Sequence, residues 1–99
     1  MSDPIYFVYI LTNEAKTVLY TGLAENLCIR LKQHVEGIGR DDFTKRYRCF
    51  YLIYLETFND LNDAISREKE IKGWKKVEKE ALINEHNKEW YFLNGVIID

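Results

Sequence analysis

Five side chains in this 99-residue chain are of types that handle protons and anionic oxygens: Tyr9, Tyr20, Arg30, His34 and Glu68. Glu68 is the most telling by position. Leu61, Ala64, Ile65, Glu68 and Ile71 or Lys72 recur at helical spacing, which sets a carboxylate into an apolar stripe. Such a group must be paired, hydrogen-bonded or bound to metal, because a bare one costs several kcal/mol, on the order of buried-charge penalties. A salt bridge to a lysine or arginine of the same basic helix is the alternative to a metal. Arg30 and His34 stand at i and i+4, one above the other on a helix. A guanidinium presents a planar fork of donors to charged oxygens; otherwise Arg30 pairs at the surface with Glu25 or Glu36. Tyr9 and Tyr20 lie in two strand-like runs. Singly they read as core aromatics, and a lone helix histidine reads as exposed.

The elements that must position these groups follow from periodicity. Ile5 to Leu11 is an apolar, β-branched and aromatic run, and Val18 to Thr21 is a second one after the polar stretch Thr12 to Thr17. The two are expected to pair as a hairpin, placing Tyr9 and Tyr20 on one face if the register allows. Asn26 offers an N-cap, and Leu27, Leu31 and Val35 form the inward stripe of a helix that Gly37 and Gly39 end. The loop from Gly37 to Arg48 interleaves basic and aromatic residues in Phe43-Thr44-Lys45-Arg46-Tyr47, a mix for phosphate binding and base stacking or a surface loop pinned by Phe43. Cys49 to Phe58 is a third strand, its near-continuous apolar character suggesting the middle or a well-covered face of the sheet. Asn59 or Asp60 caps the helix carrying Glu68, and Gly73 ends it. A further helix, Lys75 to about His86, turns Val77, Ala81 and Leu82 or Ile83 inward, with Trp74 at the joint. Asn94-Gly95 signals a tight hairpin in the final segment, which could also dock on the core or on a second subunit. The order is ββαβαα, an α+β domain with a small antiparallel sheet and helices against it.

Composition narrows the class. The length fits one domain spanning 1–99, with a core that needs no metal or disulfide staples. Aromatic content of 14% and a single proline argue for a compact globule. No apolar run approaches a membrane span, and Met1-Ser2-Asp3-Pro4 lacks the basic flank of a signal peptide, so a cytoplasmic protein without membrane contact is expected. Cys28 and Cys49 belong to no CxxC pair and read as reduced core residues. The net charge of −2 is unlike a nucleic-acid binder, but the charge is unevenly spread. Residues 26–50 hold six basic against three acidic residues, as do residues 65–79, a net +3 in each block. Both blocks carry chemistry-bearing residues, and a basic face on an acidic back suits a phosphate substrate.

Tyr9 in Val8-Tyr9-Ile10, Tyr20 in Tyr20-Thr21-Gly22, Arg30 ten residues on, His34 one turn later, and Glu68 in Arg67-Glu68-Lys69-Glu70-Ile71-Lys72-Gly73-Trp74 together resemble the active site of the GIY-YIG nucleases. The likeness runs from about Ile5 to Leu93 and is strongest to small standalone members, which are similar to the N-terminal domain of the excinuclease that belongs to the same superfamily. It implies the same fold with three strands, and hydrolysis of nucleic-acid phosphodiesters with one divalent metal ion. By that resemblance Glu68 is the sole protein ligand of Mg²⁺ or Mn²⁺, Arg30 holds the scissile phosphate, one tyrosine is the general base, and His34 takes its proton. A free phenol titrates near 10, so the base needs a shift of roughly two or three units. Lys45, Arg46 and Lys72 are expected phosphate contacts. Leu23 stands where some relatives carry a lysine, Asn87-Lys88-Glu89-Trp90 replaces an Asn-Pro-x-Trp, and Asn84 and Asn87 are imperfect matches for an asparagine the family often has. The expected function is a metal-dependent DNA endonuclease. The alternative is a non-catalytic module that keeps the fold and uses its basic face to hold nucleic acid or a protein partner; for a homodimer the apolar tail Val96 to Ile98 is the visible candidate.

Overall fold

The computed structural model describes residues 4–36 and 43–97. In chain order they form strands β1 (Tyr6–Thr12) and β2 (Leu19–Ala24), helices α1 (Leu27–Glu36) and α2 (Phe43–Arg46), strand β3 (Tyr51–Phe58), helices α3 (Leu61–Lys72) and α4 (Lys76–His86), and a last 3-10 turn at Asn94–Ile97. The sheet is antiparallel throughout, in the order β2-β1-β3. Asn13 organises the β1–β2 hairpin: its side-chain oxygen accepts from the Thr17 and Val18 N–H groups at 2.8 and 3.2 Å, while Lys16 adopts a left-handed φ of 60°. Side-chain caps start two helices as expected, Asn26 on the Ile29 N–H at 3.0 Å and Asp60 on those of Asn62 and Asp63.

Alternation along β1 divides the interior. Val8 and Ile10 face α3 and α4, packing with Ala64, Ile71, Leu82 and Ile83. Tyr9 and Leu11 face the other way, packing with Leu27, Cys49 and Leu52. β3 is an edge strand, not the middle one; its continuous apolar run has a different cause. A bulge interrupts its pairing with β1 between Ile10 and Leu11, so that Ile53 and Tyr54 both join the α3–α4 side while Leu52 and Leu55 join the other. The exposed ladder of β3 is covered by side-chain amides. Asn94 accepts from Leu52 N–H and donates to Phe50 C=O, both at 2.9 Å, and Asn87 donates to Ile53 C=O at 2.9 Å. That use of Asn94 overturns the hairpin reading of Asn94-Gly95: the tail docks on the core.

Several phase assignments also change. Val35 is 49% exposed and Val77 is 66% exposed, Ala81 faces solvent, and Leu61 is largely exposed. The part of the expected loop after residue 42 is helix α2. Gly37 and Gly39 lie outside the described residues, as do Ile98 and the side chains of Val96 and Ile97. Cys49 is buried, and burial pushes its thiol up to about 11; Cys28 is half-buried, and neither is bridged. Among the described residues no helix is long and apolar enough to cross a membrane.

Candidate active site

The register answers the question left open for the tyrosines. Tyr9 pairs with Gly22 and Leu11 with Tyr20, so Tyr9 and Tyr20 project from the same face, toward α1. The Tyr9 ring lies directly over Gly22. A Cβ at position 22 would overlap both the ring Cζ and the hydroxyl oxygen, closer than nonbonded contacts to a real Cβ come. Only glycine lets this phenol reach across β2.

The Tyr9 hydroxyl meets His34 Nε2 at 2.8 Å, both residues being buried. On the far side of the imidazole, Nδ1 meets the Thr44 hydroxyl at 2.9 Å. If the Thr44 hydroxyl turns its proton to the His34 carbonyl, 3.5 Å away, its oxygen is left to accept from Nδ1–H. In that tautomer the lone pair is on Nε2, and the phenol donates to it. His34, the residue after which α1 would otherwise turn Val35 inward, occupies the interior because two buried hydroxyls satisfy its ring.

Burial is the main influence raising the Tyr9 phenol well above its ordinary value, with Tyr20 and Glu68 adding to it; a hydrogen bond from Arg30 and the guanidinium's charge act in the opposite direction. All five residues are thereby brought together. Tyr20 is half-buried, edge-on to His34 with ring centres 5.2 Å apart, and stacked on Phe43 at 5.8 Å. Arg30 also donates to Gln33 at 3.1 Å, a partner other than the expected Glu25 or Glu36. The Glu68 carboxylate, 18% exposed, is held by Lys72 Nζ at 3.1 Å. Both an active-site position and the expected salt bridge therefore describe Glu68, and Lys72 is engaged with it rather than standing alone. Lys45 and Arg46 are exposed on α2, beside Thr44, with Arg46 over the Tyr47 ring.

Among the described residues no three His, Cys, Asp or Glu side chains cluster to cage a metal. The donor set is one hard carboxylate, 18% exposed and shared with Lys72. That suits Mg²⁺ or Mn²⁺, which keeps most of its waters and takes one or two protein carboxylates plus substrate oxygens. Asn84 and Asn87 have structural duties instead: Asn84 accepts from the Trp90 indole, and Asn87 bonds Ile53 and Tyr91. Sequence reasoning missed two positioning residues. Gly22 became visible only once the β1–β2 register set it opposite Tyr9; Thr44 carried no signal at all.

The sequence matches the GIY-YIG catalytic domain over residues 5–88. It is 38% identical to a UPF0213 protein of Syntrophus aciditrophicus, over 81% of this chain and 91% of that one. A UPF0213 protein of Staphylococcus aureus is 36% identical over 81% of this chain and 95% of its own length. The solution NMR structure of the UPF0213 protein from Bacillus halodurans superposes with a TM-score of 0.57 at 25% identity, covering 87% of this chain and 89% of that one.

Proposed function

This chain belongs to the GIY-YIG catalytic-domain family, alongside the small UPF0213 proteins, and on that premise we propose that it is a divalent-metal-dependent endonuclease that hydrolyses DNA phosphodiester bonds. The observation that carries the reading is the bond from the Tyr9 phenol to His34 Nε2, backed by Thr44 and flanked by Arg30. Tyr9 is the general base in this reading. Its proton passes along the existing hydrogen bond to Nε2, the phenolate takes a proton from the attacking water, and Thr44 holds the resulting imidazolium through Nδ1–H. The raised phenol value makes an adjacent acceptor necessary, because simple ionisation at neutral pH would be too rare. Arg30 stabilises the phenolate and the phosphoryl oxygens with one fork of donors. Glu68 would hold Mg²⁺ or Mn²⁺, which when bound neutralises charge at the phosphate and the leaving oxygen. Removing the negative charge of Glu68 from the vicinity of Tyr9 also relieves one of the influences that hold the phenol protonated. Tyr20 packs the imidazole from its edge, and Lys45, Arg46 and Lys72 contact phosphates. Two unbridged cysteines support a cytoplasmic setting.

One observation favours a second reading, a binding module without catalysis: the Glu68 carboxylate already has a partner in Lys72. Incubation with Mg²⁺ or Mn²⁺ and single-stranded, duplex or branched DNA separates the two. The wild-type protein is expected to cleave at least one substrate. Glu68→Gln is expected to abolish cleavage while keeping fold and affinity, since it keeps volume and removes the ionic ligand. Undiminished cleavage by that variant overturns the metal assignment, and wild-type binding with no cleavage of any substrate supports the binding module.

A further inference from the structure

Beside the candidate active site an open groove of about 390 Å³ runs between the β1–β2 turn and the approach to β3. Three of its walls are aromatic, Tyr47, Phe50 and Tyr51, and Arg48, Asn13 and Glu14 complete much of the rest. The rings are only partly spent on the core, Phe50 and Tyr51 being half-buried. Tyr47 is 43% exposed, and Phe92, stacked on Tyr51 at 4.2 Å, is 40% exposed. The walls are also fixed in place. Asn13 is committed to the hairpin turn, and Arg48 is held at a left-handed φ of 58° between a 2.7 Å bond from Cys49 N–H to Thr44 and a 3.1 Å bond from Phe50 N–H to its own carbonyl.

Charge and continuity say what such a groove takes. Arg46 lies over Tyr47 at 5.7 Å and Lys16 over Phe92 at 5.1 Å, so with Arg48 three cations attend the aromatic surface, against Glu14 as the one acid named in the lining. Planar apolar faces rimmed by cations match a planar base on an anionic backbone. A line of ring contacts links the groove to the candidate active site: Tyr47 packs on Phe43 at 4.6 Å, Phe43 on Tyr20 at 5.8 Å, and Tyr20 on His34 at 5.2 Å. A duplex keeps its base faces stacked inside and offers none to these rings.

We infer that the groove of Tyr47, Arg48, Phe50 and Tyr51 is a base-stacking subsite for unpaired nucleotides of the strand whose phosphate lies at Tyr9, His34 and Arg30. The inference rests on the nuclease reading and adds substrate structure to it: the preferred substrate carries a single-stranded segment flanking the scissile bond.

The test measures binding of a fluorescein-labelled oligothymidylate and of a duplex of equal length to the Glu68→Gln protein, with and without Tyr47→Ala, and cleavage of the same strands by the wild type. Tyr47→Ala is expected to weaken single-strand binding about tenfold, the scale of one lost base stack, and to change duplex binding much less. Tyr47→Phe, which keeps the ring, is expected to restore it. Equal losses on both probes, or no loss on either, overturn the subsite. Cleavage by the wild type with no Tyr47 effect leaves the nuclease reading standing and removes the groove; Tyr47-dependent binding without cleavage does the reverse. If neither probe binds and neither is cleaved, both fall. Should Tyr47→Ala fail to fold, an oligonucleotide bearing bromouracil is photocrosslinked to the unsubstituted chain. Adducts at Tyr47, Phe50 or Tyr51 support the subsite, and adducts confined to other surfaces, including those a protein partner would use, overturn it.

Discussion

Each face of the sheet buries a tyrosine that donates a hydrogen bond to a titratable side chain, and the two are built for opposite ends. Tyr9 meets an imidazole nitrogen, with Arg30 beside it. Tyr54 meets the Glu56 carboxylate, which Arg67 already grips with Nε at 3.1 Å and Nη2 at 2.9 Å. Burial drives both phenols up. Burial also works against the charge on Glu56, but the hydrogen bonds from Arg67 and Tyr54 outweigh it and hold the carboxyl below its usual range. A proton leaving Tyr54 would have to move from a hydroxyl to a carboxylate kept ionised, and it has no onward route. A proton leaving Tyr9 finds a lone pair and a ring that can carry charge, steadied by Thr44. On the proposed reading, two similar-looking hydrogen bonds therefore differ in function: one transfers a proton, the other clamps β3 to α3.

The sharpest way to break that contrast is to delete each hydroxyl alone. Tyr9→Phe is expected to slow cleavage by about 10² to 10⁴, the range of general base catalysis, with the fold intact by circular dichroism. Tyr54→Phe is expected to leave the rate close to wild type and to lower stability by about 1 to 3 kcal/mol, since a buried, charge-assisted hydrogen bond is lost. Comparable rate losses for both would mean that the phenols act only through packing.

How much of this was readable beforehand depends on the kind of contact. Strand and helix existence and the Asn26 and Asp60 caps were legible because they rest on local periodicity and short-range hydrogen bonds, whereas the five-residue set came from its resemblance to a family. Helix phase was not. After Leu27 and Leu31 the next inward position of α1 can be 34 or 35, and hydrophobicity chooses Val35; the structure chooses His34 because Tyr9 and Thr44, 25 and 10 residues away, satisfy its ring. The same limit applies to Asn94, whose turn signal is real but whose amide is spent on β3, 42 residues earlier. Long-range polar partners leave no periodic trace.

A second, smaller test concerns two glycines. Gly22 sits under the Tyr9 ring, whereas a Cβ on Gly73 would meet only carbonyl oxygens at 3.5 and 3.6 Å, ordinary contact at a right-handed φ of −79°. Gly22→Ala is expected to cost about 1 to 3 kcal/mol by overpacking and to lower the cleavage rate by displacing Tyr9 from His34. Gly73→Ala is expected to be near neutral, within roughly 0.5 kcal/mol. Because the Gly22 penalty arises from one ring, combining Gly22→Ala with Tyr9→Leu should be less than additive in denaturant unfolding. Strict additivity would place the strain elsewhere.

The last test separates the clamp from the transfer site by pH. Glu56 has a folded value below the 4.5 of an ordinary carboxyl. A depressed carboxylate contributes stability that is complete above the unfolded value and is lost as pH falls through the folded one. Denaturant unfolding of wild type and Glu56→Gln should therefore differ most above about pH 5, by about 1 to 3 kcal/mol, since both partners are only about a quarter exposed. The gap should then close as acid titrates Glu56 in the folded chain, while other carboxyls destabilise both proteins alike. The cleavage rate near neutral pH should fall far less than in Tyr9→Phe, because Glu56 faces Tyr54, Arg67 and His86 and does not touch the Tyr9 phenol. A gap that stays constant with pH would mean that the Glu56 contact acts through shape alone, and the contrast between a charged clamp and a neutral relay would not hold.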